Sequence, residues 1–353
     1  MAATRHPTLQ AESRRLNFLK RWVKRILWAF IGLLAALALG GALYQLAAEH
    51  HDRQCFPQAG RSVDLGGFSL NINCTGLGSP TVILESGLGV PAIGWNLVQP
   101  DIAKFSRVCS YDRAGYGWSA SGPSPRTSLE ISKELHALLE KAGVSPPYTL
   151  VGHSFGGFNV RVFNGLYPGE VLGMVLVDSS HEDQESRMPA SFQAAMAKSD
   201  RQIQRVRRVM PLLIHLGIAR AALNADPSLH FLPRDLSEEI VYLQLQPKFV
   251  DAIAGELASF SESARETRDS GNLGDKPLIV LTAGRMQEAP GVPPQDLAAF
   301  QEIWIKELQP SLAHLSTRGR QVLVPDSDHL IPFERPQAVV SAIREVWEAS
   351  QSK

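Results

Sequence analysis

The chain has 353 residues, 44% hydrophobic and 20% charged, a composition that builds a packed core and excludes an intrinsically disordered polypeptide. Its 35 basic and 35 acidic side chains cancel to a formal net charge of zero. That lacks the basic excess of a nucleic-acid binder, so no nucleic-acid partner is expected. The three cysteines, Cys55, Cys74 and Cys109, make no Cys-x-x-Cys pair and no Cys/His cluster, so no metal or other cofactor is expected.

Residues 1–25 form a basic segment carrying Arg14, Arg15, Lys20, Arg21, Lys24 and Arg25. The 23 residues that follow, 26–48 (ILWAFIGLLAALALGGALYQLAA), contain no charge. As a helix they are long enough to cross the hydrocarbon core of a bilayer. The positive-inside rule then leaves the basic segment in the cytoplasm and exports the rest to a periplasmic or extracellular space. We read 26–48 as a transmembrane signal anchor. The alternative is a cleaved signal peptide, with Ala36-Leu37-Ala38 as the small-residue cleavage site and a secreted mature protein. Residues 49–60 are polar, with Pro57 and Gly60, and read as a linker.

From residue 61 strands and helices follow in turn. Arg61–Leu65 and Phe68–Cys74 are predicted strands joined by Gly66-Gly67, a hairpin signal. Thr81–Glu85, Arg107–Tyr111, Tyr148–Val151, Val171–Val177, Pro277–Leu281 and Gln321–Val324 are short apolar runs that read as buried strands. Ser128–Ala142, Gly157–Tyr167 and Ala338–Glu348 have helical periodicity, the first ending at Gly143, a C-cap signal. The expected architecture is α/β: a mostly parallel eight-stranded sheet with helices on both faces. Residues 183–272 carry helical periodicity and no convincing strand, and read as a helical cap inserted into a core of 61–182 and 273–350. In an exported domain, Cys74 and Cys109, each in a predicted strand, are either bonded or buried thiols.

In such sheets ligands bind at the carboxyl ends of the strands, and the reactive side chains cluster there. Gly152-His153-Ser154-Phe155-Gly156 fits Gly-x-Ser-x-Gly, a pattern short enough to arise by chance. Its context, directly after the YTLV strand and before a helix, is that of a nucleophile elbow at Ser154. A serine needs a base within hydrogen-bond reach. His329, just beyond the QVLV strand, is the candidate; His181 is second. The base in turn needs a carboxylate. Asp178, at the end of VLGMVLV, is preferred. Glu288, beyond PLIVL, is the alternative acid, followed by Glu182 and Asp183. Two backbone donors would stabilise an oxyanion: Phe155 N–H and Leu88 N–H, the latter in the Ser86-Gly87-Leu88-Gly89 loop after TVILE.

With these residues in order, the chain resembles the α/β-hydrolase fold family over residues 61–348, as a membrane-anchored serine hydrolase of bacterial type. The matching stretches are LESGLG at 84–89, SYDRAGYGWS at 110–119, VGHSFGG at 151–157, VLVDSSHEDQ at 175–184 and DSDHLIPFERP at 326–336. The resemblance implies a structural role for Asp112 and Arg113, as a buried ion pair or backbone ties. It usually implies an acid after the next-to-last strand, where this chain has Gly284-Arg285-Met286-Gln287. Members similar to haloalkane dehalogenases carry the acid after the sixth strand, where Asp178 stands. The implied activity is hydrolysis of a small-molecule carboxylic ester, lipophilic given the anchor, through an acyl-enzyme on Ser154. Carbon–carbon bond or lactone hydrolysis, haloperoxidase-like chemistry and a non-catalytic ligand-binding role are the alternatives on the same fold.

Overall fold

A computed structural model describes residues 7–226 and 231–351, with side chains from Arg15 onward. The first helix, α1 (Pro7–Cys55), runs without a break through the apolar segment. The linker read over 49–60 therefore starts later. Residues 49–55 continue the helix, held by Glu49–Arg53 and His50–Gln54 pairs one turn apart.

The sheet has eight strands: β1 (Arg61–Asp64), β2 (Ser69–Thr75), β3 (Thr81–Glu85), β4 (Val108–Tyr111), β5 (Tyr148–His153), β6 (Val171–Val177), β7 (Leu278–Ala283) and β8 (Gly319–Val324). Their spatial order is β1-β2-β4-β3-β5-β6-β7-β8. β2 pairs antiparallel with β1 and β4, and every other pairing is parallel. The strands read as continuous apolar runs because both faces are covered. Ile83, Leu150 and Leu176 enter one core, and their neighbours Val82, Leu84, Val151 and Val175 enter the other, the period-2 alternation of a strand. Cys74 stands opposite Cys109 across the β2–β4 ladder and the two form a disulfide; Cys55 is free and exposed.

Helices α2 (Ser128–Lys141) and α3 (Gly156–Leu166) connect the central strands. Between β6 and β7 lie α4 (Ala190–His215), α5 (Ile218–Asn224), α6 (Arg234–Gln244), α7 (Pro247–Ala258) and α8 (Phe260–Asp269). No strand occurs in 183–272 among the described residues. After β7 come α9 (Pro294–Ile303), continued by a π-helical turn at Trp304–Leu308, and finally α10 (Pro336–Gln351).

The register aligns the reactive ends. Glu85 of β3 lies beside Gly152 of β5, His153 beside Val177 of β6, and Val177 beside Leu281 of β7. The loops that begin at Ser86, Ser154 and Asp178 therefore emerge side by side.

Candidate active site

The turn after β5 is tight. Ser154 has φ of +53°, a left-handed conformation that side-chain-bearing residues seldom adopt. Three hydrogen bonds hold it there: Ser154 N–H to the Val177 carbonyl at 3.1 Å, and the Ser154 carbonyl from Gly157 N–H at 2.9 Å and Ser180 N–H at 3.0 Å. The flanking glycines are required by space. A Cβ at Gly152 would lie 2.6 Å from the Gly156 carbonyl oxygen, and one at Gly156 would lie 2.5 Å from that of Glu85.

Around Ser154 the structure brings two of the sequence-derived residues into line. His329 Nε2 is 2.9 Å from Ser154 Oγ, and His329 Nδ1 is 2.6 Å from Asp178 Oδ2. Asp178 also has a positive φ, +40°. Strained backbone thus recurs at two members of one constellation, a pattern typical of functional sites. The other oxygen of Asp178, Oδ1, accepts from Ala283 N–H and Trp304 Nε1–H, both at 2.9 Å. Burial raises the Asp178 carboxyl pKa, but the His329, Trp304 and Ala283 hydrogen bonds outweigh it and hold the group below the ordinary aspartate range. Enclosure lowers the His329 pKa, and the Asp178 hydrogen bond and charge more than reverse this, so the imidazole sits above its ordinary value.

His153 does not face Ser154 Oγ. Its Nε2 is 2.9 Å from the His329 carbonyl oxygen. A carbonyl only accepts, so His153 carries its proton on Nε2. Burial, and then the proximity of His329, push its pKa down to about 3. This neutral ring is a strut beneath the His329 loop. Glu334 anchors the same loop, accepting from Asp328 N–H at 2.9 Å and Ser327 Oγ at 3.0 Å.

The remaining candidates lie elsewhere. Glu288 is exposed and makes no contact with His329, whose Nδ1 is taken by Asp178. His181 has both ring nitrogens engaged, Nε2 with Ser311 Oγ at 2.7 Å and Nδ1 with Asp183 N–H at 3.0 Å. Burial raises the Glu182 pKa, but its pairing with Arg161 at 2.5 Å outweighs this and brings the value down to about 2. Asp183 pairs with Arg268. Leu88 packs against the buried cluster of Ile131, Phe155, Phe158 and Ala264. Neither Leu88 N–H nor Phe155 N–H meets another protein group among the described residues.

Of the two structural roles implied for Asp112 and Arg113, a buried ion pair or backbone ties, both occur, although the two residues do not bond to each other. Asp112 ties backbone, accepting from Ala92 N–H at 2.8 Å and Trp118 N–H at 3.1 Å. Arg113 is buried between two glutamates, Glu85 at 2.7 Å and Glu256 at 2.7 Å. It also donates to the Ser86 carbonyl at 2.6 Å and the Gly87 carbonyl at 2.9 Å. Tyr116 OH donates to Glu256 at 2.7 Å and accepts from Gly89 N–H at 3.2 Å. The 86–89 loop is thereby fastened through Arg113 and Tyr116 to Glu256 on cap helix α7. Burial raises the Glu85 pKa, with Arg113, Tyr111 and Asn159 opposing it. Sequence reading missed Glu85, Glu256 and Trp304. Glu256 in an apolar stretch of α7 was the one visible signal, since a buried carboxylate demands a partner.

A cavity of about 580 Å³ opens over Ser154, Asp178 and His329. Its walls are largely apolar: Met188, Phe192 and Met196 from the cap side, and Met286, Phe300 and Trp304 from the core.

Residues 76–208 match the family model described as alpha/beta hydrolase fold. The uncharacterized protein YqjL of Bacillus subtilis is 27% identical over 271 residues, covering 76% of this chain and 84% of that protein. The probable transporter efuK of Hormonema carpetanum is 26% identical over 300 residues, 78% of this chain; the match spans only 40% of that relative's length. Among solved structures, a thermophilic esterase from Thermogutta terrifontis superposes with a TM-score of 0.57 at 23% identity, covering 83% of this chain and 99% of that one. The chain has the α/β-hydrolase fold, by this superposition and by its sheet.

Proposed function

We propose that the protein is a serine hydrolase that cleaves carboxylic esters through an acyl-enzyme on Ser154. The observation that carries this reading is the hydrogen-bonded line Ser154 Oγ–His329–Asp178, at 2.9 and 2.6 Å. Asp178 accepts from Nδ1–H, which leaves Nε2 as the bare nitrogen facing Oγ. As Oγ attacks the ester carbonyl, His329 takes the proton and returns it to the leaving alkoxide. Asp178 stabilises the imidazolium without taking its proton. The uncommitted Leu88 and Phe155 amides are the donors for the oxyanion. Water then repeats the sequence and releases the acid. The apolar cavity favours an ester with a hydrocarbon acyl or alkyl group.

The same reading places the enzyme at a membrane on the exported side, anchored by α1. An unpaired apolar helix preceded by basic residues supports the anchor, and the Cys74–Cys109 disulfide supports an oxidising compartment.

The test is labelling by a fluorophosphonate probe together with turnover of aryl esters. Wild type labels and turns over, whereas Ser154→Ala loses labelling and falls by several orders of magnitude in kcat. Equal activity in both refutes the reading. For the anchor, a carbonate wash leaves the protein in the membrane pellet; release to the supernatant refutes it.

A further inference from the structure

α1 stands clear of the folded domain over most of its apolar length. Ile26, Leu27, Phe30, Leu33, Leu34 and Leu37 are all exposed. It then meets the cap. Gly41 lies so near the turn between α4 and α5 that a Cβ there would come 2.3 Å from the Leu216 carbonyl oxygen. One helical turn on, Gln45 is 4% exposed and accepts from Arg220 Nε at 2.9 Å. Arg220 also pairs with Asp52 at 2.7 Å. The other side of these turns stays uncovered: Leu39, Leu43 and Leu46 are 63%, 58% and 63% exposed. Their spacing puts them on one helix face. At the level where the cap touches α1, the helix still presents an apolar stripe that needs an apolar neighbour.

Length leads to the same place. Counting from Ile26, the first residue after Arg25, a hydrocarbon core takes about 20 residues and ends near Gln45. If the core ended below the cap contact, only the 15 residues 26–40 would span it, about 22 Å against the roughly 30 Å required. Tilt demands more residues, not fewer. Gly41 therefore lies about 6 Å inside the apolar layer, at 1.5 Å per residue.

The cap turn beside it has the surface for that depth. Val209, Leu212 and Ile218 are 47%, 59% and 51% exposed. Back along α4 from Leu212, at helical spacing, stand Arg208, Arg205 and Arg201, all exposed. None of the three is ion-paired among the described residues. An apolar tip followed by arginines on the same face fits the passage from acyl chains to lipid phosphates.

We propose that the α4–α5 turn, Val209–Ile218, is immersed in the phospholipid leaflet beside α1, with Arg201, Arg205 and Arg208 at the lipid phosphates. This rests on the reading of α1 as a membrane anchor. The N-terminal half of α4 walls the cavity over Ser154 through Phe192, Met196 and Ser199. One continuous helix thus joins the bilayer to the substrate chamber, and a lipophilic ester has its source at the far end of that helix.

The experiment uses the full chain in phospholipid nanodiscs, with Cys55→Ser to remove the free thiol. An environment-sensitive fluorophore is placed by Leu212→Cys or, as a reference on the core, by Lys104→Cys. Both positions are exposed, so neither change disturbs packing. The label at 212 emits to the blue of the label at 104 and is quenched several-fold more by lipids bearing a nitroxide on the acyl chain. Equal quenching at the two positions, with the protein still resistant to carbonate, overturns the immersion and leaves the anchor standing. Release by carbonate overturns both.

Discussion

Each oxygen of Asp178 has its own partners. Oδ2 takes His329, and Oδ1 is held by Trp304 and the Ala283 amide, so the carboxylate cannot rotate away from the imidazole. The pH dependence follows from this pairing. In the proposed mechanism His329 must be neutral to accept the serine proton, and Asp178 raises its pKa. Activity should therefore fall as the pH drops through a value above the ordinary histidine figure of about 6.5. In Asp178→Asn the charge is gone and the imidazole pKa falls, so the acid limb of kcat/KM moves to lower pH. With the tautomer no longer fixed, kcat drops by about 10³–10⁴-fold. A pH–rate profile of both proteins checks this; an unmoved acid limb counts against His329 as the base. At this scale much of the site was legible. Ser154 and Asp178 follow directly on recognisable apolar strands and His329 stands five residues beyond one, and strand ends are where such folds gather reactive groups. Trp304 was not legible. It reaches Asp178 from a π-helical turn more than twenty residues beyond β7, and no local pattern marks a helix residue whose partner lies that far back in the chain.

At the level of elements, the loop at 86–89 and cap helix α7 are bound into one unit. Arg113 grips the carbonyls of Ser86 and Gly87 while its guanidinium is clamped by Glu256. Glu256 does not line the cavity and is a positioning residue. In Glu256→Gln the buried ion pair is broken, which costs about 3–5 kcal/mol of stability, read as a lowered Tm. The loop that presents Leu88 N–H also loses its fastening. We therefore expect kcat to fall about tenfold or more while KM changes little, because the oxyanion donor proposed at Leu88 would act in the transition state. A rise in KM alone would make Glu256 only a part of the pocket wall. The eight strands and helices α2, α3 and α10 were legible in the sequence with small differences in their ends, whereas α9 and the π-helical turn after it were not. The linker begins later than its composition suggests, because residues 49–55 are polar and polarity alone does not tell a helix end from irregular chain. They are the solvated last turns of a helix, stabilised by pairs four residues apart. The partners of Arg113 are not legible in the sequence, because Glu85 and Glu256 stand 28 and 143 residues away along the chain.

For the whole molecule, the disulfide closes the antiparallel edge of the sheet, bridging residues separated by 35 positions. Loop-closure entropy gives such a link a worth of about 3–4 kcal/mol. Cys74→Ser with Cys109→Ser should unfold at a correspondingly lower denaturant midpoint. The same fall should appear in wild type treated with reductant, and in neither case should the KM of the still-folded protein change. A wild type indifferent to reductant would show that the bond contributes nothing to the fold. Caps of α/β folds invite exchange as modules, because each enters and leaves the core through two loops. Here that exchange is restricted. A foreign cap lacking a carboxylate where Glu256 stands would leave Arg113 with one counter-ion and Tyr116 OH without its acceptor. Grafting new specificity onto this scaffold therefore calls for keeping one buried glutamate from the old cap, however much of the remainder is replaced.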